Sequence, residues 1–161
     1  MSSYSSTNST LPCRILIVNG VNLGQLGTRE VDIYGCVSFE EYLQQLRTEY
    51  PDVAFDYVQE DDETVLAHHI AQAKGYEGIV LNAGAYTHTS VVLADAVRAT
   101  SCPVMEVHIS NLFGREQYRR HNVLSSACAG FISGFGLQSY DLAVEAFLMK
   151  INAAEIKLQQ V

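Results

Sequence analysis

The sequence predicts an α/β fold, a five-stranded parallel sheet with helices on both faces. Three observations carry that expectation. Five short apolar runs, at 15–18, 53–58, 79–82, 104–109 and 129–132, have the length of buried strands. Segments with helical spacing separate them, and strands alternating with helices imply parallel βαβ crossovers. No internal repeat and no long linker divides the 161 residues, a length suited to one domain with a single sizeable core.

Each element follows in chain order. The opening MSSYSSTNSTLP is rich in Ser and Thr and has no apolar core or arginine, so residues 1–12 are expected to be a disordered tail rather than a targeting peptide. Residues 13–161 are then expected to form one domain. Its first strand, Ile15–Val18, leads into a glycine-rich loop holding Arg29 and Tyr34. Ser38-Phe39-Glu40-Glu41 is a capping-box signature, and Tyr42, Leu43 and Leu46 mark the inner face of the helix it opens. After the strand at 53–58, Val65, Leu66, His69, Ile70 and Ala73 mark a second helical face. SVVLADAVRA predicts a third helix, closed by Cys102-Pro103. A last helix over 137–158 takes Leu142, Val144, Phe147, Leu148 and Ile151 as its apolar set.

Right-handed crossovers and five strands suit the flavodoxin-like order 2-1-3-4-5. In such sheets ligands sit beyond the carboxyl ends of the strands, near the switch point, here between strands 1 and 3. The segments 19–36, 82–90 and 108–120 are therefore expected to build the site.

Composition narrows the function. The protein has 48% hydrophobic and 17% charged residues, with a net charge of −8 and an isoelectric point near 5.0. That balance argues against wrapping nucleic acid, and no apolar stretch reaches the ~18 residues of a membrane span. A local arginine cluster can still attract a small anion. Cys13, Cys36, Cys102 and Cys128 are scattered without a CxxC pair, which predicts reduced thiols in a cytoplasmic protein rather than a disulfide framework or zinc site.

The strand exits carry the chemistry. LNAGAYTHTS places Asn82 at a strand end and His88 before a helix start; the stretch reads equally as a site or as an ordinary turn capped by Thr89. MEVHISNLFGREQYRRH sets Glu106 and His108 on one side of a strand, near Ser110, Arg115 and Arg119. A carboxylate beside an imidazole orients it and favours its charged form, which suits a general acid. His68, His69 and His121 read as structural or surface residues. GVNLGQLGT lacks the Lys-Ser/Thr of a phosphate-cradling loop and the G-x-G-x-x-G spacing of a dinucleotide site, and no G-x-S-x-G elbow is present.

Jointly, NGVNLGQLGTREVDIYG, LNAGAYTHTS and MEVHISNLFGREQYRRH resemble the type II 3-dehydroquinate dehydratases from about Ile15 to Leu148. The resemblance implies a flavodoxin-like subunit that dehydrates 3-dehydroquinate to 3-dehydroshikimate without metal or organic cofactor. It implies a dodecamer, a tetramer of trimers. Tyr34 matches the family's catalytic base and Arg29 its essential loop arginine. His108 matches the general acid, and Asn22 the asparagine that holds a catalytic water. Asn82, His88, Asp95, Ile109, Ser110 and Arg119 match substrate-binding positions, with Asp95 reaching a neighbouring subunit's site. Arg115 matches a second arginine close to the site. Val21 and Val31 stand where the family commonly has proline, and LFG replaces the commoner VHA before Arg115.

On this reading Arg29 lowers the proton affinity of Tyr34, and the loop's glycines let it swing over the substrate. The rival expectation is a flavodoxin-like module that binds flavin or a protein partner. Such a module does not need Arg29, Tyr34, Asn82, His88 and His108 all at strand exits.

Overall fold

The computed structural model describes residues 13–26 and 37–159. The expected tail over 1–12, and the segment carrying Arg29 and Tyr34, lie outside the described residues. The strands are β1 (Cys13–Asn19), β2 (Val53–Gln59), β3 (Gly78–Asn82), β4 (Val104–His108) and β5 (Gly130–Ser133). They pair in the order β2-β1-β3-β4-β5, every pair parallel, which is the flavodoxin-like order expected from the sequence. Among the described residues the long helices are α1 (Phe39–Glu49), α2 (Glu63–Ala71), α3 (Val91–Ala99) and α4 (Gln138–Gln159).

The pleat of each strand sends alternate residues to opposite faces, and here both faces are covered. Ile15 and Ile17 of β1 pack with α1 and α4 residues such as Phe39, Leu46, Val144 and Phe147. Leu16 and Val18 pack with α2 and α3 residues such as Leu66, Ile70, Leu93 and Val97. A continuously apolar strand is what this three-layer sandwich requires. The nine-residue α2 and α3 are too short to persist alone in water. Each fully buried aliphatic contributes roughly 1.5–3 kcal/mol, so packing against the sheet holds them.

Local signals set the helix starts. Ser38 caps α1 in a reciprocal box, its Oγ accepting from Glu41 N–H at 3.2 Å while Glu41 Oε2 accepts from Ser38 N–H at 3.0 Å. The cap of α3 is Ser90, whose Oγ accepts from Leu93 N–H at 2.9 Å, one residue beyond the Thr89 cap of the ordinary-turn alternative. Thr89 instead closes a 3-10 turn over Gly84–His88.

Two helix faces differ from expectation. In α2 the buried row is Leu66, Ala67 and Ile70, continued by Ala73, while Val65 and His69 are exposed. Val65 and His69 form their own i,i+4 row, rotated toward solvent. In α4 the buried row is Tyr140, Ala143, Val144 and Phe147, while Leu142 is 41% exposed. An apolar row one position off the inward one has the same period, so spacing alone does not choose between them.

Candidate functional site

The switch point is built from two interlocked loops. Asn19 and Asn82 sit opposite each other where β1 and β3 end. Gly20 N–H then donates to Asn82 O at 2.7 Å. A Cβ on Gly20 would lie 2.6 Å from Ala83 O, and one on Gly84, whose φ is +60°, would lie 2.7 Å from Val21 O. Only glycine allows the two backbones this close.

Asn22 follows in the left-handed region with φ 67°, the one non-glycine residue among the described to do so. Asparagine tolerates that conformation better than most residues. Asp61 Oδ1, at the exit of β2, accepts from Asn22 N–H at 3.2 Å and from Gln59 Nε2 at 2.8 Å. A strut from β2 thus holds the turn that displays Asn22.

One cleft opens over these strand ends, lined from the loops after β1, β3 and β4. Asn22, Asn82, His88, His108, Ile109, Ser110, Arg115 and Arg119 all line it. Glu106 lies beneath, fully buried. Asp95 does not join them: it lies on the exposed side of α3, 3.2 Å from Arg98. Arg29 and Tyr34 are outside the described residues.

His108 is 5% exposed, and its Nε2 lies 2.7 Å from Glu106 Oε1. Asn122 Nδ2 donates to the same oxygen at 2.9 Å, and the Thr87 hydroxyl also donates to it. With Glu106 Oε1 already accepting from Asn122 and Thr87, His108 Nε2 is placed to donate to the same oxygen, which leaves Nδ1 as the ring's other nitrogen. Asn122 is itself clamped, its Oδ1 accepting from Leu124 and Ser125 N–H, both at 2.8 Å. Cys128 lies nearby; burial first, then the charge of Glu106, push its thiol up to about 12, so it is no nucleophile at neutral pH.

His88 Nδ1 lies 2.7 Å from the His121 carbonyl, which can only accept, so Nδ1 carries the proton. Burial, ahead of its other influences, lowers the His88 pKa below the usual histidine value. A neutral ring with a bare Nε2 is therefore offered as an acceptor for a hydroxyl. At the rim, Glu116 Oε2 is shared by Arg119 Nε at 3.0 Å and Arg115 Nε at 3.5 Å, and Arg115 Nη1 also reaches Ser110 Oγ at 3.4 Å. Among the described residues of the rim, two guanidiniums thus share one carboxylate. The carbonyls of His108, Ile109 and Ser110 are held by donors running from the end of β5 to the first turn of α4: Gly134 N–H and Ser139 Oγ, Gly136 N–H, and Ser133 Oγ respectively.

Sequence reasoning missed Thr87, Asn122, Asp61 and Tyr140. Thr87 sits inside LNAGAYTHTS, where a threonine between Tyr86 and His88 drew no notice. Asn122 and Asp61 carry no local signal, because their roles exist only once separate loops meet. Among the described residues no cluster of His, Cys, Asp and Glu could hold a metal ion, and no helix is long and apolar enough to cross a membrane.

Comparison with known proteins agrees with this geometry. A profile of the family "Dehydroquinase class II" matches residues 13–148. A 3-dehydroquinate dehydratase of Pelodictyon phaeoclathratiforme is 45% identical over 137 residues, covering 83% of this chain and 91% of the relative. One of Exiguobacterium is 47% identical over 136 residues, covering 84% and 94%. Among solved structures, the type II dehydroquinase of Butyrivibrio crossotus superposes with a TM-score of 0.79 at 38% identity, covering 84% of this chain and 97% of that one. That of Propionibacterium acnes gives 0.77 at 36% identity, covering 82% and 93%. On fold, length and sequence together, the chain belongs to the class II dehydroquinase family.

Proposed function

We propose that this protein is a hydro-lyase that converts 3-dehydroquinate to 3-dehydroshikimate by anti elimination through an enolate. Tyr34 serves as the tyrosinate base and His108 as the general acid. The observation that carries this reading is the buried His108–Glu106 pair at the end of β4, facing a cleft lined by Arg115 and Arg119 in a chain of this family.

The chemistry needs a proton taken from the carbon beside a ketone, then a hydroxyl expelled from the next carbon. A phenol is a weak base at neutral pH, since its ordinary pKa is ~10. Bringing it near 7 requires roughly 4 kcal/mol in favour of the charged form. One guanidinium ~4 Å away supplies about that much at an effective dielectric of ~20. Arg29, five residues from Tyr34, is the group assigned to do so. Asn22 holds a water where negative charge develops on the enolate oxygen. His108, oriented through Nε2 by Glu106, gives a proton from Nδ1 to the departing hydroxyl. The substrate carboxylate meets the backbone N–H groups of Ile109 and Ser110, while Arg119 and His88 hold the ring hydroxyls and Asn82 also binds substrate. No step calls for a metal or organic cofactor.

Asp95 lies outside its own chain's cleft and is assigned to a neighbour's site, in a homododecamer built as a tetramer of trimers. The single-domain division at residue 13 and a cytoplasmic location belong to the same reading.

The test is a direct assay. Protein treated with a chelator should form the conjugated enone of 3-dehydroshikimate, followed by its ultraviolet absorbance. Tyr34→Phe should abolish turnover while substrate binding stays measurable, and Arg29→Ala should lose rate. A yellow, flavin-bearing protein with no conversion would favour the binding-module alternative, and near-normal turnover by Tyr34→Phe would remove the base.

A further inference from the structure

We infer that Tyr140 is a positioning residue for this reaction: its hydroxyl, reaching from the buried face of α4 to the switch point, fixes which edge of the Asn82 amide faces it and so which group Asn82 offers the substrate. The inference rests on the functional reading above, in which Asn82 binds substrate.

Tyr140 and Asn19 are fully buried, and Asn82 is 3% exposed. The Tyr140 hydroxyl donates to Asn19 Oδ1 at 2.7 Å and accepts from Asn82 Nδ2 at 2.9 Å. A phenol has one proton to donate. Once that proton goes to Asn19, the hydroxyl can only accept, and Asn82 must turn its NH2 edge toward it. The other edge is assigned as well, because Asn82 Oδ1 accepts from Gly84 N–H at 3.2 Å. Reversing the amide would set NH2 against Gly84 N–H and a carbonyl against an oxygen with no proton left. Asn19 is oriented in turn, its Nδ2 lying 3.5 Å from the Tyr57 hydroxyl. Burial raises the Tyr140 pKa well above the ordinary phenol value, so the hydroxyl keeps its proton throughout the working range.

Packing does not ask for the hydroxyl. The ring stacks in a cluster with Phe39, at 4.9 Å, and Tyr42, at 6.0 Å between centroids, where phenylalanine has the same shape. The polar atom serves the two asparagines that end β1 and β3. With one Nδ2 hydrogen given to Tyr140 and Oδ1 given to Gly84, the second Nδ2 hydrogen is the donor left for a substrate oxygen.

The test is a double-mutant cycle on the full chain with 3-dehydroquinate. Tyr140→Phe, Asn82→Ala and the double variant are compared, with rates normalised to folded protein by near-ultraviolet circular dichroism. Loss of one aligned hydrogen bond predicts that Tyr140→Phe lowers kcat/KM about tenfold. In the Asn82→Ala background the same substitution should cost less than about twofold, because the hydroxyl acts through that amide. A purely structural tyrosine would produce losses that multiply in the double variant. Multiplying losses, or wild-type kcat/KM in Tyr140→Phe, overturn the role of Tyr140 while wild-type turnover leaves the functional reading standing. A wild-type protein that does not dehydrate the substrate overturns both.

Discussion

Gly20→Ala tests the idea that the site depends on how closely two backbones meet. The added Cβ would lie 2.6 Å from Ala83 O, whereas ordinary contact begins near 3.4 Å, so the loops after β1 and β3 must separate by about 0.8 Å. The obstacle is backbone on the far side, with no flexible tip to swing away. The same displacement stretches the 2.7 Å bond from Gly20 N–H to Asn82 O to about 3.5 Å, beyond useful hydrogen bonding. Overpacking of this kind costs about 1–3 kcal/mol. It outweighs the gain of at most ~1 kcal/mol from a stiffer unfolded chain. For a domain of this size the melting temperature should fall by about 3 °C per kcal/mol. Catalysis should suffer more, since Asn22 and Asn82 move apart and an error near ~1 Å at a reacting centre costs on the order of 100-fold. Thermal melts and steady-state kcat/KM on 3-dehydroquinate measure both effects. Gly114→Ala is the control, because its Cβ would meet only Asn111 side-chain atoms at 3.7 Å or more. Wild-type kcat/KM and an unchanged melting temperature in Gly20→Ala would refute the reasoning.

Three further outcomes are expected. Glu106→Gln replaces a charged acceptor with a neutral one and puts an NH2 at the position of Oε2, a buried atom without a partner among the described residues. That should lower kcat about tenfold, from a loss of ~1.4 kcal/mol in the bond that orients His108, and full kcat would remove Glu106 from that task. Asp61→Ala should lower kcat about fivefold by releasing the Asn22 turn from a hydrogen bond worth ~1 kcal/mol, while Asp61→Asn, which keeps an acceptor, restores it; equal losses in both variants would show that Asp61 acts only through its charge. Asp56 sits 2.6 Å from Arg14, whose hydrogen bond holds its carboxyl below the usual carboxylate range. Because the folded-state value is the lower one, its stabilisation is present above the unfolded value of ~3.9 and disappears as pH falls through the depressed value. The side chains are nearly half exposed, so Asp56→Asn should cost no more than about 1 kcal/mol at pH 7 and nothing in stronger acid. Urea melts at the two pH values decide, and a difference that persists in acid would contradict the assignment.

Much of the molecule was legible before any coordinates. Apolar runs of strand length alternating with helical spacing implied the parallel sheet and its order, because burial on both faces leaves a one-dimensional record in hydrophobicity. The exits of β1, β3 and β4 followed as the site, because that order places the switch point there. The roles of Arg29 and Tyr34 came from likeness to a family, and both residues lie outside what the structure describes. Tertiary structure decided what spacing leaves degenerate: that Leu66 and Ile70 rather than Val65 and His69 face the sheet, and that Tyr140 rather than Leu142 does. It also decided which polar groups meet. Thr87, His108 and Asn122 converge on one oxygen of Glu106 from three separate segments. A hydrogen bond has a range of about 3 Å and no sequence periodicity, so such convergence is written only in the folded chain.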